Sequence, residues 1–134
     1  MLKLVKYYFN EQSSINKSGN LYLYEVSSIK NLKIIRNHFE NFPLQTTKLI
    51  YFQLWCKVMD MIEDKEHLTK EGFLKILSIK SVFPKVLSDK IKKIYLDIKL
   101  YDKPMFKYSK NSINLYWIPG FVQGDGTFGL NITK

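Results

Sequence analysis

Residues 116–128 read Tyr-Trp-Ile-Pro-Gly-Phe-Val-Gln-Gly-Asp-Gly-Thr-Phe, with two glycines four positions apart, Gly120 and Gly124. On a helix these positions share one face, and without side chains there a second helix can approach backbone to backbone. Asp125 follows directly, so its carboxylate would lie beside the corresponding carboxylate of the partner helix. Two carboxylates held close together in a basic protein indicate a divalent-metal site for phosphodiester chemistry.

The same residues have a plainer interpretation when only short fragments of them are considered. Asp-Gly is a common hairpin turn, and an isolated Gly-x-x-x-Gly often reflects close packing and nothing more. The longer string from Trp117 to Phe128 is more specific, because it joins the glycine face, the carboxylate and flanking aromatic residues in one segment. The whole string therefore favours the functional interpretation.

The nine residues from Ile118 to Gly126 resemble the signature motif of the LAGLIDADG homing endonuclease family. The resemblance implies that Asp125 is the essential catalytic residue and the ligand of a divalent cation, with Mg²⁺ as the expected ion. It also implies that the motif's three glycines are helix-packing positions: Gly120, Gly124 and Gly126. Gln123 departs from the family pattern, which has a second acidic residue at that position.

Pro119 is a second departure from the motif, and it bears on where the helix begins. Proline lacks a backbone N–H and crowds the carbonyl four residues earlier, so it is tolerated only in the first turn of a helix. We therefore expect the motif helix to begin near Tyr116.

The charge of the chain favours a polyanionic partner. Lys and Arg total 21 against 12 Asp and Glu, which gives a net charge of +9 over 134 residues. Nucleic acid is the usual partner of such an excess, although a generic solvated lysine surface is the alternative. The chain has no alanine and is rich in residues with AT-rich codons, which fits an organelle genome and, with the family resemblance, the mitochondrion.

Cysteine, histidine and hydropathy patterns exclude several other classes of protein. Cys56 is the only cysteine, so no disulfide framework exists, and its apolar surroundings predict a buried, inert thiol. His38 and His67 have no further ligands at zinc spacing. The N-terminus has no signal or targeting pattern, and the longest apolar run is too short to span a bilayer.

The N-terminal residues predict a β-hairpin, with strands over Leu2–Phe9 and Leu21–Val26 and a polar loop over residues 10–20. Either the leucines or the tyrosines of the second strand could face the core. The outward face would carry lysine and tyrosine suited to groove contacts, although aromatic residues in strands are more often core residues. The candidate DNA-binding residues are Lys3, Lys6, Tyr22 and Tyr24.

Four helices are predicted after the hairpin. The first spans about residues 29–41 after a Ser27 or Ser28 cap, the second extends to about Asp64, and the third and fourth follow Thr69 and Ser88 caps. Their predicted inward residues are Ile29, Leu32, Ile35 and Phe39, then Leu49, Phe52, Met59 and Ile62, then Phe73, Ile76 and Leu77, then Ile91, Ile94 and Tyr95.

Two further segments resemble the same family, Phe-Pro-Leu-x-Thr-x-Lys at residues 42–48 and His-Leu-Thr-x-Glu-Gly-Phe at residues 67–73. The resemblance covers nearly the whole chain and implies an α+β, partial LAGLIDADG fold. Residues 1–98 would be the C-terminal two-thirds of a first repeat, and residues 99–112 a linker. Residues 113–134 would supply the motif helix and first strand of a truncated second repeat. Lys48 would lie near the scissile phosphates and act as a second catalytic residue.

The resemblance implies a site-specific endonuclease that hydrolyses double-stranded DNA with Mg²⁺. The alternatives are a maturase that binds its own intron RNA and an inactive relic. With one motif and one strand of the second repeat, over residues 127–133, we expect this chain alone to bind DNA weakly and cleave poorly or not at all. The missing repeat halves, or self-association through Gly120 and Gly124, would be needed for a complete site. The DNA target is not readable from the sequence.

Overall fold

A computed structural model describes residues 2–9, 13–84, 87–96, 98–107 and 114–125 of the chain. These residues form helices and one two-stranded antiparallel sheet, which confirms the predicted α+β class. The strand predicted over residues 127–133 lies outside the described residues, as does the end of the predicted linker. The chain divides into two compact units, Met1–Leu44 and Gln45–Lys134.

The first unit begins with a helix where a strand was predicted, so that prediction is wrong. Helix α1 spans Leu2–Phe9. Its half-buried residues recur at helical spacing, at Leu2, Val5, Lys6 and Phe9. One side of α1 is therefore covered although valine, tyrosine and phenylalanine all favour strands, because packing context outweighs β-propensity.

The hairpin pairs β1, Ser14–Ser18, with β2, Leu21–Glu25. The second strand was predicted, whereas the first lies in the segment predicted to be a polar loop. Gly19 has a φ of +60° as the first of two loop residues, which is the conformation that a type II′ hairpin turn requires. The register places Ile15 opposite Tyr24 and Lys17 opposite Tyr22, so these four side chains share one face of the sheet.

Helix α2, Ile29–Asn41, begins after Ser28 and ends before Pro43, as predicted. His38 joins α2 to α1, because its ring lies within 5.3 Å of the Tyr8 and Phe9 rings and 3.3 Å separates its Nδ1 from the Tyr8 hydroxyl. The rings of Phe39 and Phe42 lie at similar distances. An aromatic cluster around a histidine thus joins the two helices of this unit.

The second unit contains α3, Thr47–Glu63, a 3₁₀ turn, Glu66–Leu68, α4, Lys70–Lys80, α5, Asp89–Ile94, and α6, Trp117–Asp125. Two of its caps confirm the sequence prediction. The Thr69 side chain accepts a hydrogen bond from the Gly72 amide at 3.0 Å, and the Ser88 side chain accepts one from Ile91 at 3.4 Å. Each bond satisfies an amide that has no partner within its helix.

The core of the second unit lies between α3 and α4. Its buried residues are Ile50, Leu54, Met61 and Ile79, and Val58, Ile76, Val82, Phe83, Tyr101 and Phe106 pack against them. The contribution of Tyr101 and Phe106 is notable because the segment around them has no helix or strand. We call this segment, residues 98–107, the strap.

The predicted inward faces are correct in part. Met59 and Leu77 are buried, but Ile29, Phe73 and Ile94 are exposed, which contradicts the prediction for these three. Ile29 is the first residue of α2 and Ile94 the last of α5, so both lie where a helix ends. The Phe73 ring remains partly covered by Tyr95, with 5.4 Å between ring centres. Cys56 is half-buried and not fully buried.

Among the described residues, no helix combines the length and hydrophobicity that crossing a membrane would require.

Candidate nucleic-acid interface and catalytic residues

The motif helix α6 begins at Trp117, so Pro119 is its third residue. The amide of Trp117 donates to the Asn114 carbonyl at 2.9 Å, and the Tyr116 amide donates to Asn114 Oδ1 at 2.9 Å. The first amides of any helix lack an intrahelical acceptor, so the missing N–H of Pro119 removes no helical hydrogen bond. The proline therefore fits the first turn, as the sequence requires.

One face of α6 is open within the described part of the chain. A Cβ built on Gly120 meets no heavy atom within 4 Å. Phe121, the next residue, is exposed, and its ring stacks on the Trp117 ring with 5.0 Å between their centres. This surface has the glycine and apolar character that close helix packing needs.

Asp125 is the last residue of α6. The C-terminal end of a helix carries a partial negative charge, and the last turn of α6 contains no basic residue to neutralise it. A carboxylate at such an end favours a bound cation. The described residues contain no group of three or more His, Cys, Asp or Glu side chains that could enclose a metal ion. Mg²⁺ is often held by one or two carboxylates together with substrate phosphates and water. A single aspartate can therefore supply one of the ligands of such a site.

Lys48 is the second residue of α3 and is exposed. The first turn of α3 contains no acidic residue, and the N-cap Thr46 makes no side-chain capping bond. Lys48 therefore adds a positive charge to the end of a helix that is already partly positive. An anionic oxygen is the group that this combination favours.

The four predicted DNA-binding residues have different surroundings. Lys3 and Tyr22 are exposed. Lys6 is half-buried, and its ammonium donates to the Ser13 carbonyl at 2.6 Å, which ties α1 to the start of β1. Tyr24 is half-buried, and its hydroxyl is buried without a hydrogen-bond partner among the described residues.

Burial identifies the face of Ile15 and Tyr24 as the inner one, because these two residues are half-buried whereas Leu21 and Leu23 are exposed. Tyr22 shares the inner face but is itself exposed. The outer face of the hairpin thus carries the alternate residues Ser14, Asn16, Ser18, Leu21, Leu23 and Glu25. On it, the Asn16 amide donates to Glu25 Oε2 and to Ser14 Oγ. Sequence analysis missed Asn16 because polar residues 10–20 were assigned to a loop. The alternation of polar Ser14 and Asn16 with apolar Ile15 is the sequence signal that a strand gives there.

Comparisons with known proteins agree with this fold. Residues 1–59 match the profile of the family described as LAGLIDADG endonuclease. A probable intron-encoded endonuclease 3 of Neurospora crassa is 31% identical over 134 residues, which cover 98% of this chain and 25% of that protein. A probable intron-encoded DNA endonuclease aI1 of Mycosarcoma maydis is 32% identical over 83 residues, which cover 60% of this chain and 69% of that protein.

Solved structures of the homing endonuclease I-SmaMI have the same fold. The form bound to cleaved DNA has a TM-score of 0.84 and 35% identity, over 92% of this chain and 42% of that one. The form bound to uncleaved DNA in the presence of calcium ions has a TM-score of 0.84 and 36% identity, with the same coverage. This chain thus spans about a quarter of the Neurospora protein and less than half of I-SmaMI. The sequence matches and the shared fold agree, and the chain belongs to the LAGLIDADG endonuclease family.

Proposed function

We propose that this chain is part of a site-specific endonuclease that hydrolyses double-stranded DNA. The observation that carries the proposal is α6, a helix with an open glycine face that ends in Asp125 and has no basic residue in its last turn. The DNA-bound forms of I-SmaMI support DNA as the partner. Residues 1–98 would supply the C-terminal two-thirds of one repeat, residues 99–112 the linker, and residues 113–134 the start of the second.

Asp125 is proposed to hold a divalent cation, Mg²⁺ in the cell, together with a carboxylate from the partner motif helix. A bound cation of this kind activates water and stabilises the leaving oxygen of a phosphodiester. The contribution of this chain is to place one carboxylate at the end of a helix whose dipole favours positive charge. The open face at Gly120 would bring the two helices close enough for their carboxylates to share the ion.

Lys48 is proposed as the second catalytic residue. Its exposed ammonium, at the N-terminal end of α3, can donate hydrogen bonds to a phosphate oxygen or to the attacking water. A fixed positive charge near the phosphorus stabilises the negative charge that develops in the transition state. This role needs no change in the protonation state of the lysine.

The hairpin is proposed to contact DNA with its outer face. Asn16 offers an amide that can pair with adenine, and Glu25 can accept a hydrogen bond from cytosine, so both residues suit major-groove recognition. Phosphates would be contacted by Lys3 of α1 and by Lys17 and Tyr22, which are exposed although they lie on the opposite face of the hairpin from Asn16 and Glu25. Lys6 and Tyr24 would support this surface, since the first anchors β1 and the second lies on the inner face.

We also propose that the gene lies in a mitochondrial intron. The absence of alanine and the use of residues with AT-rich codons support an organelle genome. Both fungal relatives described above are named as intron-encoded.

The test uses the full-length protein that contains this chain, with Asp125→Asn. We expect this variant to bind its target duplex as the parent does and to lose cleavage in Mg²⁺, because the amide replaces the charged ligand without changing its size. Asp102→Asn is the matched control, since Asp102 is exposed on the strap. Cleavage that survives in Asp125→Asn would assign the catalytic role to another residue.

A further inference from the structure

Thr46, two residues before Lys48, has a backbone conformation that is almost exclusive to glycine. Its φ is 65° and its ψ is −158°. A β-branched residue in this region is a conformational outlier, and such strain persists only where the surrounding structure enforces it. Among the described residues, the other non-glycine residue with positive φ is Lys65, which has a ψ of 15° and lies at the end of α3, where the left-handed conformation is common.

A second threonine in the same chain shows the relaxed alternative. Thr69 also precedes a helix, but its φ is −94° and its ψ is 150°. In that extended conformation its Oγ1 accepts the amide hydrogen of Gly72, three residues later. Thr46 makes no such side-chain bond. The favourable N-cap geometry is therefore available to threonine, and α3 begins without it.

The strained conformation determines how the chain enters the helix that carries Lys48. The Thr46 carbonyl accepts the Leu49 amide at 3.1 Å, which forms the first turn of α3 around Lys48. In the relaxed geometry the Thr46 hydroxyl would also cap the amide of Lys48 or Leu49, as Thr69 does while its carbonyl accepts the Phe73 amide at 2.9 Å. The backbone at Thr46 thus sets the path by which the chain enters the turn that contains Lys48.

We infer that Thr46 is a positioning residue, whose glycine-like backbone fixes the first turn of α3 so that the Lys48 ammonium meets a DNA phosphate. The inference rests on the proposed role of Lys48. It locates the effect in the backbone and not in the threonine side chain, so a residue that keeps the conformation should keep the function.

The first measurement tests the strain and needs no DNA. In urea unfolding of the 134-residue chain, we expect Thr46→Gly to raise the midpoint, because glycine adopts this conformation without strain. Thr47→Gly is the matched control, since Thr47 is the first residue of α3 and has no such outlier. The control should not raise the midpoint. A midpoint that falls for Thr46→Gly would overturn the inference.

The second measurement tests the positioning, with a mixed-sequence 30-base-pair DNA duplex as the probe. Loss of one phosphate contact reduces the slope of log affinity against log salt by about one. We expect Lys48→Gln to have this effect in the parent and in the Thr46→Gly background. In the Thr46→Pro background, where φ is locked near −65°, it should have none. Circular dichroism checks whether Thr46→Pro is folded. If this variant is unfolded, the urea comparison of Thr46→Gly with Thr47→Gly decides the inference.

The outcomes distinguish the two levels of the proposal. A Lys48→Gln effect that persists undiminished in the Thr46→Pro background would refute the positioning role while the phosphate contact stands. An unchanged salt slope for Lys48→Gln in the parent would refute the phosphate contact itself, and the positioning role with it, whatever the urea result.

Discussion

Gly72 is a position at which the fold leaves no room for a side chain. A Cβ added there would lie 2.1 Å from the Glu66 carbonyl oxygen and 2.6 Å from its carbon, both in the backbone of the 3₁₀ turn. Because a backbone cannot move aside as a flexible side chain can, we expect Gly72→Ala to lower the free energy of unfolding by about 2 kcal/mol or more. Urea unfolding of the purified chain measures this change.

Gly120→Ala provides the matched control for this prediction. The added Cβ has open space among the described residues, and alanine is the better helix former by roughly 1 kcal/mol. We therefore expect this variant to be at least as stable as the parent. Equal losses in the two variants would mean that the contact between Gly72 and the 3₁₀ turn is not what requires glycine.

Individual residues also show what the sequence could and could not predict. The Thr69 and Ser88 caps were predicted, because capping depends on a hydroxyl and the three residues that follow it. Thr46 is the same residue type as Thr69, and nothing in its neighbours predicts a φ of 65°. The local sequence pattern therefore does not predict this conformation.

At the scale of elements, α1 and β1 were the two failures, and they have one cause. Local propensity favoured a strand for Leu2–Phe9 and a loop for the polar residues that follow. In the structure, the half-buried residues of α1 recur at helical spacing, and those around Ile15 alternate with exposed residues as in a strand. For the candidate site, this error left the outer face of the hairpin unpredicted, whereas the predictions of Lys48 and Asp125 rest on local motifs and do not depend on it.

The strap is held to α3 by two reciprocal lysine–tyrosine pairs. The Lys57 ammonium donates to the Tyr101 hydroxyl at 3.2 Å and lies 5.3 Å from its ring centre. The Lys103 ammonium donates to the Tyr51 hydroxyl at 3.0 Å and lies 5.0 Å from that ring centre. On the α4 side, the Ser78 hydroxyl donates to a strap carbonyl at 2.5 Å. The strap is thus anchored to α3 and α4 at three points, although most of its other side chains are exposed.

Removal of one anchor should measure how much this packing contributes. Tyr101 also packs against the core, so we expect Tyr101→Ala to lower the free energy of unfolding by about 2 kcal/mol, which is less than a fully buried aromatic residue would lose because Tyr101 is only half-buried. Met105→Ala is the control in the same strap, since Met105 is 88% exposed, and it should change stability by less than about 0.5 kcal/mol. Urea midpoints that shift equally in both variants would contradict an anchored strap.

The whole molecule has a net charge of +9 and one motif helix, and these two properties predict binding without cleavage. Lysine–phosphate contacts release counterions from DNA, so affinity must fall as salt rises. With about four such contacts, a rise from about 50 to 200 mM salt should weaken binding of a mixed-sequence duplex roughly 150-fold. Fluorescence anisotropy with a labelled duplex measures the slope.

The same chain should not cleave DNA in Mg²⁺, because a single Asp125 supplies only one of the two carboxylates that the proposed site requires. Joining it to the rest of the full-length protein should restore cleavage, since the open face of α6 would then have its partner helix. Gel analysis of the same labelled duplex, with and without Mg²⁺, provides the measurement. Site-specific cleavage by the purified 134-residue chain would show that one motif is sufficient, and a salt-independent affinity would show that its lysines do not contact the phosphates.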